Sequence, residues 1–324
     1  MTSKVVEPLS EQKRWRTRDV KYWGGTWDAV SSLIPRFKID DFKADGDAPP
    51  NPYMKTVIRM PQTRVERPIP VGVVSNTYGL AQHDEFAERC FKGLRNAGVD
   101  PSQLRCEVGL TELGEWMNLR IYFPKEYDFV HSEKDRLGLR LECFNSVDGS
   151  SRLVILLGWL RFVCANGLVI GRTKTEFREV HDASIDLDGI RPLIGQAMKE
   201  VMGDQERMNV WTQSAVKTEQ LIPWVDKPLA EEWGKKAACR VYNICKSGHD
   251  VEFEDAFAAS KATEKPVRKT KKVLGSPAPA ATLFDVSQAL SWVATQRNNP
   301  DERLAWQTDI PRLVGKLVEM VKNH

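Results

Sequence analysis

Residues 104–110 (LRCEVGL), 116–123 (WMNLRIYF) and 136–143 (RLGLRLEC) decide the fold. In each stretch every second side chain is apolar. Leu104, Cys106, Val108 and Leu110 alternate with Arg105, Glu107 and Gly109. Met117, Leu119, Ile121 and Phe123 alternate with Trp116, Asn118, Arg120 and Tyr122. Leu137, Leu139, Leu141 and Cys143 alternate with Arg136, Gly138, Arg140 and Glu142. Successive side chains of a strand point to opposite faces. A period of two, held three times, predicts an antiparallel sheet with one face in the core and one face polar. Residues 112–115 (ELGE) are short enough to close a hairpin between the first two strands.

Working outward, residues 152–164 are almost wholly apolar and residues 168–180 follow as a further strand. Asp148-Gly149 and Asn166-Gly167 flank the first of these, and both dipeptides suit two-residue turns that need positive φ. Residues 103–180 thus read as a β-meander of about five strands. Upstream, residues 55–60 and 65–75 are strand-like, and Pro68 and Pro70 push the second to an edge. Phe86, Cys90, Phe91 and Leu94 recur at helical spacing, and Gly98 stops that helix. Residues 1–54 read as an N-terminal extension, with one short helix near Trp27 to Leu33 and a loop over 39–53. Beyond 186 the apolar period becomes helical: Ile190 to Val201, Leu229 to Cys245 with a stop at Gly248, then 283–293 and 313–321. The predicted fold class is α+β, an antiparallel β-meander followed by a helical C-terminal half. The predicted organisation is an extension (1–54), an α+β core (55–257), a basic flexible linker (258–282) and C-terminal helices packing on the core (283–324).

The composition supports a buried core: 41% of the 324 residues are hydrophobic and ten are Trp. No apolar run approaches the roughly 20 residues that span a bilayer, and the N-terminal residues hold no apolar leader core. Six cysteines without a CxxC suit a reducing compartment, so a cytoplasmic protein without membrane contact is expected. The net charge is only +3, yet residues 261–272 (KATEKPVRKTKK) carry six basic residues against one acidic residue. The body is therefore near neutral and the positive charge is local.

Two motifs follow the meander pattern: residues 145–150 (NSVDGS) and 161–168 (RFVCANGL). They resemble the phage/plasmid-like proteins catalogued as domain of unknown function 932, found on bacterial plasmids and prophages. The matching positions are Asn145, Ser146, Asp148, Gly149, Ser150, Arg161, Phe162, Val163, Cys164, Asn166, Gly167 and Leu168, with a later family histidine matching His181. Val147 stands where the family has histidine. The resemblance implies a mobile-element setting in a bacterial cytoplasm and no defined reaction.

A catalytic reading would gather Asp148, Cys164 and His181, a thiol nucleophile with a base and an orienting acid. An extended strand between the two motifs would hold Asp148 and Cys164 roughly 45 Å apart. Hairpin turns with packed flanks are the simpler reading. Cys239 and Cys245 sit about 240° apart around one helix, so they cannot share a zinc with His249 and read as buried small hydrophobes. The chain holds no P-loop, GxGxxG or HExxH. No enzyme activity, cofactor or metal is expected.

Two features suit nucleic acid. Trp116, Arg120, Tyr122, Arg136 and Arg140 share the polar side of the sheet, where rings could stack bases and guanidinium groups hold phosphates. On the same face Glu107 and Glu142 could instead pair with these arginines. Lys265, Arg268, Lys269, Lys271 and Lys272 of the linker could neutralise phosphates at any sequence. The expected function is that of a non-enzymatic mobile-element accessory protein binding single-stranded DNA in recombination or plasmid establishment. The alternative is a protein-binding antagonist of a host defence or repair system.

Overall fold

The structure, a computed structural model, describes residues 6–15, 18–132, 135–161, 177–179, 181, 187–254, 259–297 and 300–322. The chain divides into two compact units. One comprises Met1–Tyr127, Arg140–Leu157 and Lys174–Glu200; the other comprises Asp128–Leu139, Gly158–Thr173 and Val201–His324. In chain order the elements are β1 (Glu7–Trp15), β2 (Arg18–Gly25), α1 (Trp27–Val30), β3 (Phe37–Asp41), β4 (Met54–Arg59), β5 (Ile69–Ser75), α2 (His83–Asn96), β6 (Arg105–Thr111) and β7 (Trp116–Tyr122). Then come β8 (Phe129–Ser132), β9 (Asp135–Ser146), β10 (Leu153–Arg161), β11 (Phe177–Glu179) and α3 (Ile190–Gln213). The rest are α4 (Thr218–Trp224), α5 (Ala230–Trp233), α6 (Lys235–Ser247), β12 (His249–Phe253), β13 (Val267–Lys272), α7 (Leu283–Thr295) and α8 (Pro300–Lys322). Antiparallel sheets thus occupy the N-terminal half and helices the C-terminal half, as the periodicity predicts.

The main sheet runs β1-β2-β6-β7-β9-β10-β11, with β8 also on β9. The alternating stretches 104–110, 116–123 and 136–143 are its middle. Leu119 lies between Val108 and Cys143, and Arg120 between Glu107 and Glu142. In the first unit the apolar side faces α2, whose Cys90 Sγ lies 3.7 Å from Cys143 Sγ. Phe86, Cys90, Phe91 and Leu94 are all buried on that helix, which ends at Gly98 in a left-handed turn with φ +86°.

Several expectations need correction. Residues 1–54 are not an extension: β1 and β2 add two strands beyond β6, and Val20 and Tyr22 are buried. On β2, Val20 and Tyr22 pack with Trp116, on the side of the sheet described below. The expected loop over 39–53 contains part of β3, which joins β4 and β5 in a three-stranded sheet. There β5, with Pro70, is an edge strand as predicted. Residues 147–152 link β9 to β10, a longer connection than the two-residue turn predicted there, although Gly149 does take positive φ, +75°. The second predicted turn, Asn166-Gly167, lies outside the described residues, as do Phe162, Val163, Cys164 and Leu168.

The second unit is mainly helical. α7 is buried almost all round and packs against α6 and α8. Thr282 caps it: its hydroxyl accepts from the Asp285 amide while the Asp285 carboxylate accepts from the Thr282 amide. Trp224 on α4 donates to the Leu313 carbonyl at 3.0 Å, tying α4 to α8. Cys239 and Cys245 are buried thiols, and burial pushes that of Cys239 up to about 11. The expected flexible linker is also corrected here. Its lysine-rich stretch is β13, which pairs antiparallel with β12 from Phe253↔Val267 to His249↔Lys272. Charged strands on an edge escape an apolar-period search, because lysine is what keeps such an edge from pairing further.

Candidate functional site

The polar side of the sheet carries a layer of charged and aromatic side chains. Arg120 projects from β7 between two carboxylates, with Glu107 and Glu142 each 3.3 Å away. Its guanidinium also lies 4.4 Å from the centre of the Tyr22 ring. The Tyr22 hydroxyl donates to Asn118 at 3.0 Å, and the Tyr122 hydroxyl donates to Glu107 at 2.7 Å. Burial pushes the Tyr122 phenol up to about 12, so it stays a donor. Arg140 donates to Glu142 at 2.6 Å. Trp116 packs with Val20, Tyr22 and Phe144. Arg120 is 4% exposed, Trp116 5% and Arg140 8%. This face is therefore no open stacking platform. Leu139 and Arg140 are both buried, so the half-solvated sheet expected from the alternation is instead buried on both sides there. Period two tells which side chains share a face and says nothing about what covers it. Arg136, in the second unit, is partly exposed and pairs with Asp128 at 3.4 Å.

The β12–β13 ribbon has the opposite character. Arg268, Lys269, Lys271 and Lys272 are all exposed. Arg268 meets Glu252 at 2.7 Å, while Lys269, Lys271 and Lys272 have no carboxylate partner among the described residues. Lys265, by contrast, is buried. The ribbon is held from beneath by Asp250. Its carboxylate accepts from Arg240 on α6 at 2.8 and 2.6 Å and from the Trp292 indole on α7 at 2.9 Å. Burial alone would raise the Asp250 carboxyl, but these donors hold it below the usual carboxylate range.

The motif loop after β9 is a third cluster, within the first unit. Asn145 donates to the Ala81 carbonyl and to His83 Nδ1, both at 2.9 Å. His83 Nε2 lies 2.9 Å from the Gly114 carbonyl, so Nε2 carries the hydrogen and Nδ1 accepts. Burial pulls this imidazole down to about 4, despite the Gly114 bond. Asp148 accepts from the Ser150 amide and is met by Arg18, which also pairs with the buried Glu115. The Cα of Asp148 would lie 2.8 Å from a Cβ at position 72, so only glycine fits there on β5. Val147, in place of the family histidine, is fully buried with Phe37, Val57, Val71 and Val74. His181 stacks on Tyr78 at 5.2 Å and bonds the Gly79 carbonyl through Nδ1. The hydrogen bonds of both imidazoles go to carbonyls and one amide, not to a hydroxyl or thiol, among the described residues. These are the contacts of a turn locked onto its neighbours.

A family model described as Domain of unknown function (DUF932) matches residues 70–274. The chain belongs to the DUF932 family. The DUF932 match opens inside β5 and closes just after β13. It therefore takes in the motif loop, the core of the main sheet and the ribbon, and leaves β1–β4 and α7–α8 outside. No curated protein and no solved structure matches the chain. Of the motif positions, the structure brings Asn145, Asp148, Gly149, Ser150 and His181 into the first unit; Arg161 ends β10. The partners His83, Arg18, Glu115 and Asp250 escaped the sequence reading. Only Arg240 and Asp250, ten residues apart across the Gly248 helix stop, left a local trace.

Proposed function

We propose that this DUF932 protein binds nucleic acid without catalysing a reaction, and that the β12–β13 ribbon is its contact surface. One observation carries the reading: β13 presents four exposed cations in five residues, three of them without a carboxylate partner among the described residues. A near-neutral chain that gathers positive charge on one ordered strand has an electrostatic footprint for phosphates. The buried charges around Arg120 support the fold instead. Contact through phosphates suits accessory work on mobile-element DNA, the setting implied by the family resemblance, whereas the single-strand stacking expected from the sequence has no support from the buried Trp116 and Arg120. Gel shifts at low salt test the reading. The wild type is expected to retard DNA, and the variant K269Q/K271Q/K272Q to lose most of that retardation while unfolding at the same temperature. A wild type that leaves DNA unshifted, or a triple variant that shifts it equally, would end the proposal.

A further inference from the structure

Resting on that reading, we infer that the ribbon's partner is a duplex gripped by its phosphates alone, and that Lys236 on α6 belongs to the grip. Two aromatic rings, Trp292 and Phe253, lie beside lysines at the ribbon. Single strands are held by bases stacking on open rings. Trp292 is 6% exposed, its indole N–H is engaged by Asp250, and the Lys271 ammonium lies 5.2 Å from its ring centre. Phe253, at the other end of the ribbon, is half-buried and has the Lys236 ammonium 6.0 Å from its ring centre. Each ring thus already has a cation against it, and what the ribbon turns outward is charge.

Base reading has no better footing. Discrimination in a groove rests chiefly on bidentate contacts, which the planar guanidinium of Arg and the amides of Asn and Gln make best. The one arginine of β13, Arg268, is held by Glu252. The remaining exposed cations are lysines, compact point charges that fit a phosphate and lack the planar fork with which arginine fixes a base edge. Lys269 and Lys271 flank Thr270, where the ladder with β12 is irregular, and stand at most about 7 Å apart along the strand. The basic surface continues on α6, whose sequence (KKAACRVYNICKS) has four basic residues and no acidic one. Arg240 is spent on Asp250, but Lys236 lies on the same helical face, one turn earlier, beside the Phe253↔Val267 end of the ribbon. A row of point charges is rewarded by charge density. A duplex carries one charge per about 1.7 Å of axis, twice that of one strand.

Fluorescence anisotropy separates the outcomes, with labelled duplexes of two unrelated sequences and the matching single strands titrated between about 50 and 200 mM salt. The duplexes are expected to bind more tightly than the single strands and alike within about twofold, with a salt slope near −0.9 per phosphate neutralised. K269Q/K271Q/K272Q should flatten the slope by about 2.7, and K236Q alone by about 0.9. Tighter binding of single strands, or affinity that changes with base composition, would overturn the duplex assignment while leaving the nucleic-acid reading intact. An unchanged slope in K236Q would remove that lysine from the grip. No binding of either form at the lowest salt would overturn the nucleic-acid reading, and this inference with it.

Discussion

Arg120 and Lys271 each hold a cation against an aromatic ring, and their surroundings put them to opposite uses. Arg120 lies 4.4 Å from the Tyr22 ring centre, is 4% exposed and has Glu107 and Glu142 on either side. Lys271 lies 5.2 Å from the Trp292 ring centre and is exposed on an edge strand. A buried guanidinium stays charged whatever surrounds it and is tolerated only where carboxylates answer it, so its worth is read in stability. An exposed ammonium costs little to keep and adds little to folding, so it stays available to a ligand. The difference teaches that basic residues mark a binding surface only where neighbours leave the charge unanswered.

The largest effect expected from this contrast is at Arg120. Arg120→Ala leaves the buried Glu142 with Arg140 and the half-buried Glu107 with the Tyr122 hydroxyl, and should cost about 3–5 kcal/mol of folding stability. Urea unfolding reads it directly; a loss below about 1 kcal/mol would mean the layer is more open than its burial shows. Next comes His83, whose neutral form the fold requires. Its folded pKa, about 4, lies below the unfolded value of about 6.5. The contribution is therefore complete above about pH 6.5 and is lost as pH falls towards 4, roughly 3 kcal/mol in all. His83→Gln should flatten that limb of the stability–pH curve. A variant with the same acid limb as the wild type would place the titration elsewhere.

A smaller and more local effect is expected at Asp250. Asp250→Ala removes the acceptor for both Arg240 and Trp292, at a cost of about 1.5–3 kcal/mol. The paired strand β13 should resist trypsin in the wild type and become a cleavage site in the variant. Early cleavage at Lys269 or Lys271 in the wild type would instead restore the flexible segment that the sequence suggested. The smallest stability change belongs to the ribbon itself: K269Q/K271Q/K272Q should stay within about 0.5 kcal/mol of wild type. Equal damage from this variant and from Arg120→Ala would erase the contrast between the two regions.

Local pattern made much of this molecule legible. Alternation in 104–110, 116–123 and 136–143 specified β6, β7 and β9 and the face each side chain takes, because a strand's side-chain period is two whatever surrounds it. Helical spacing and Gly98 likewise located α2, and the clustering of Lys269, Lys271 and Lys272 marked a strongly basic stretch. Tertiary structure alone decided which charges face water. Tyr22, about a hundred residues away in sequence, lies against Arg120, and strand pairing with 249–253 turns an apparent linker into a displayed ribbon. The reason is physical: periodicity is written along the chain by local geometry, whereas burial and ion pairing depend on which distant segments arrive, and a run of lysines reads the same in a free linker and on the edge of a strand.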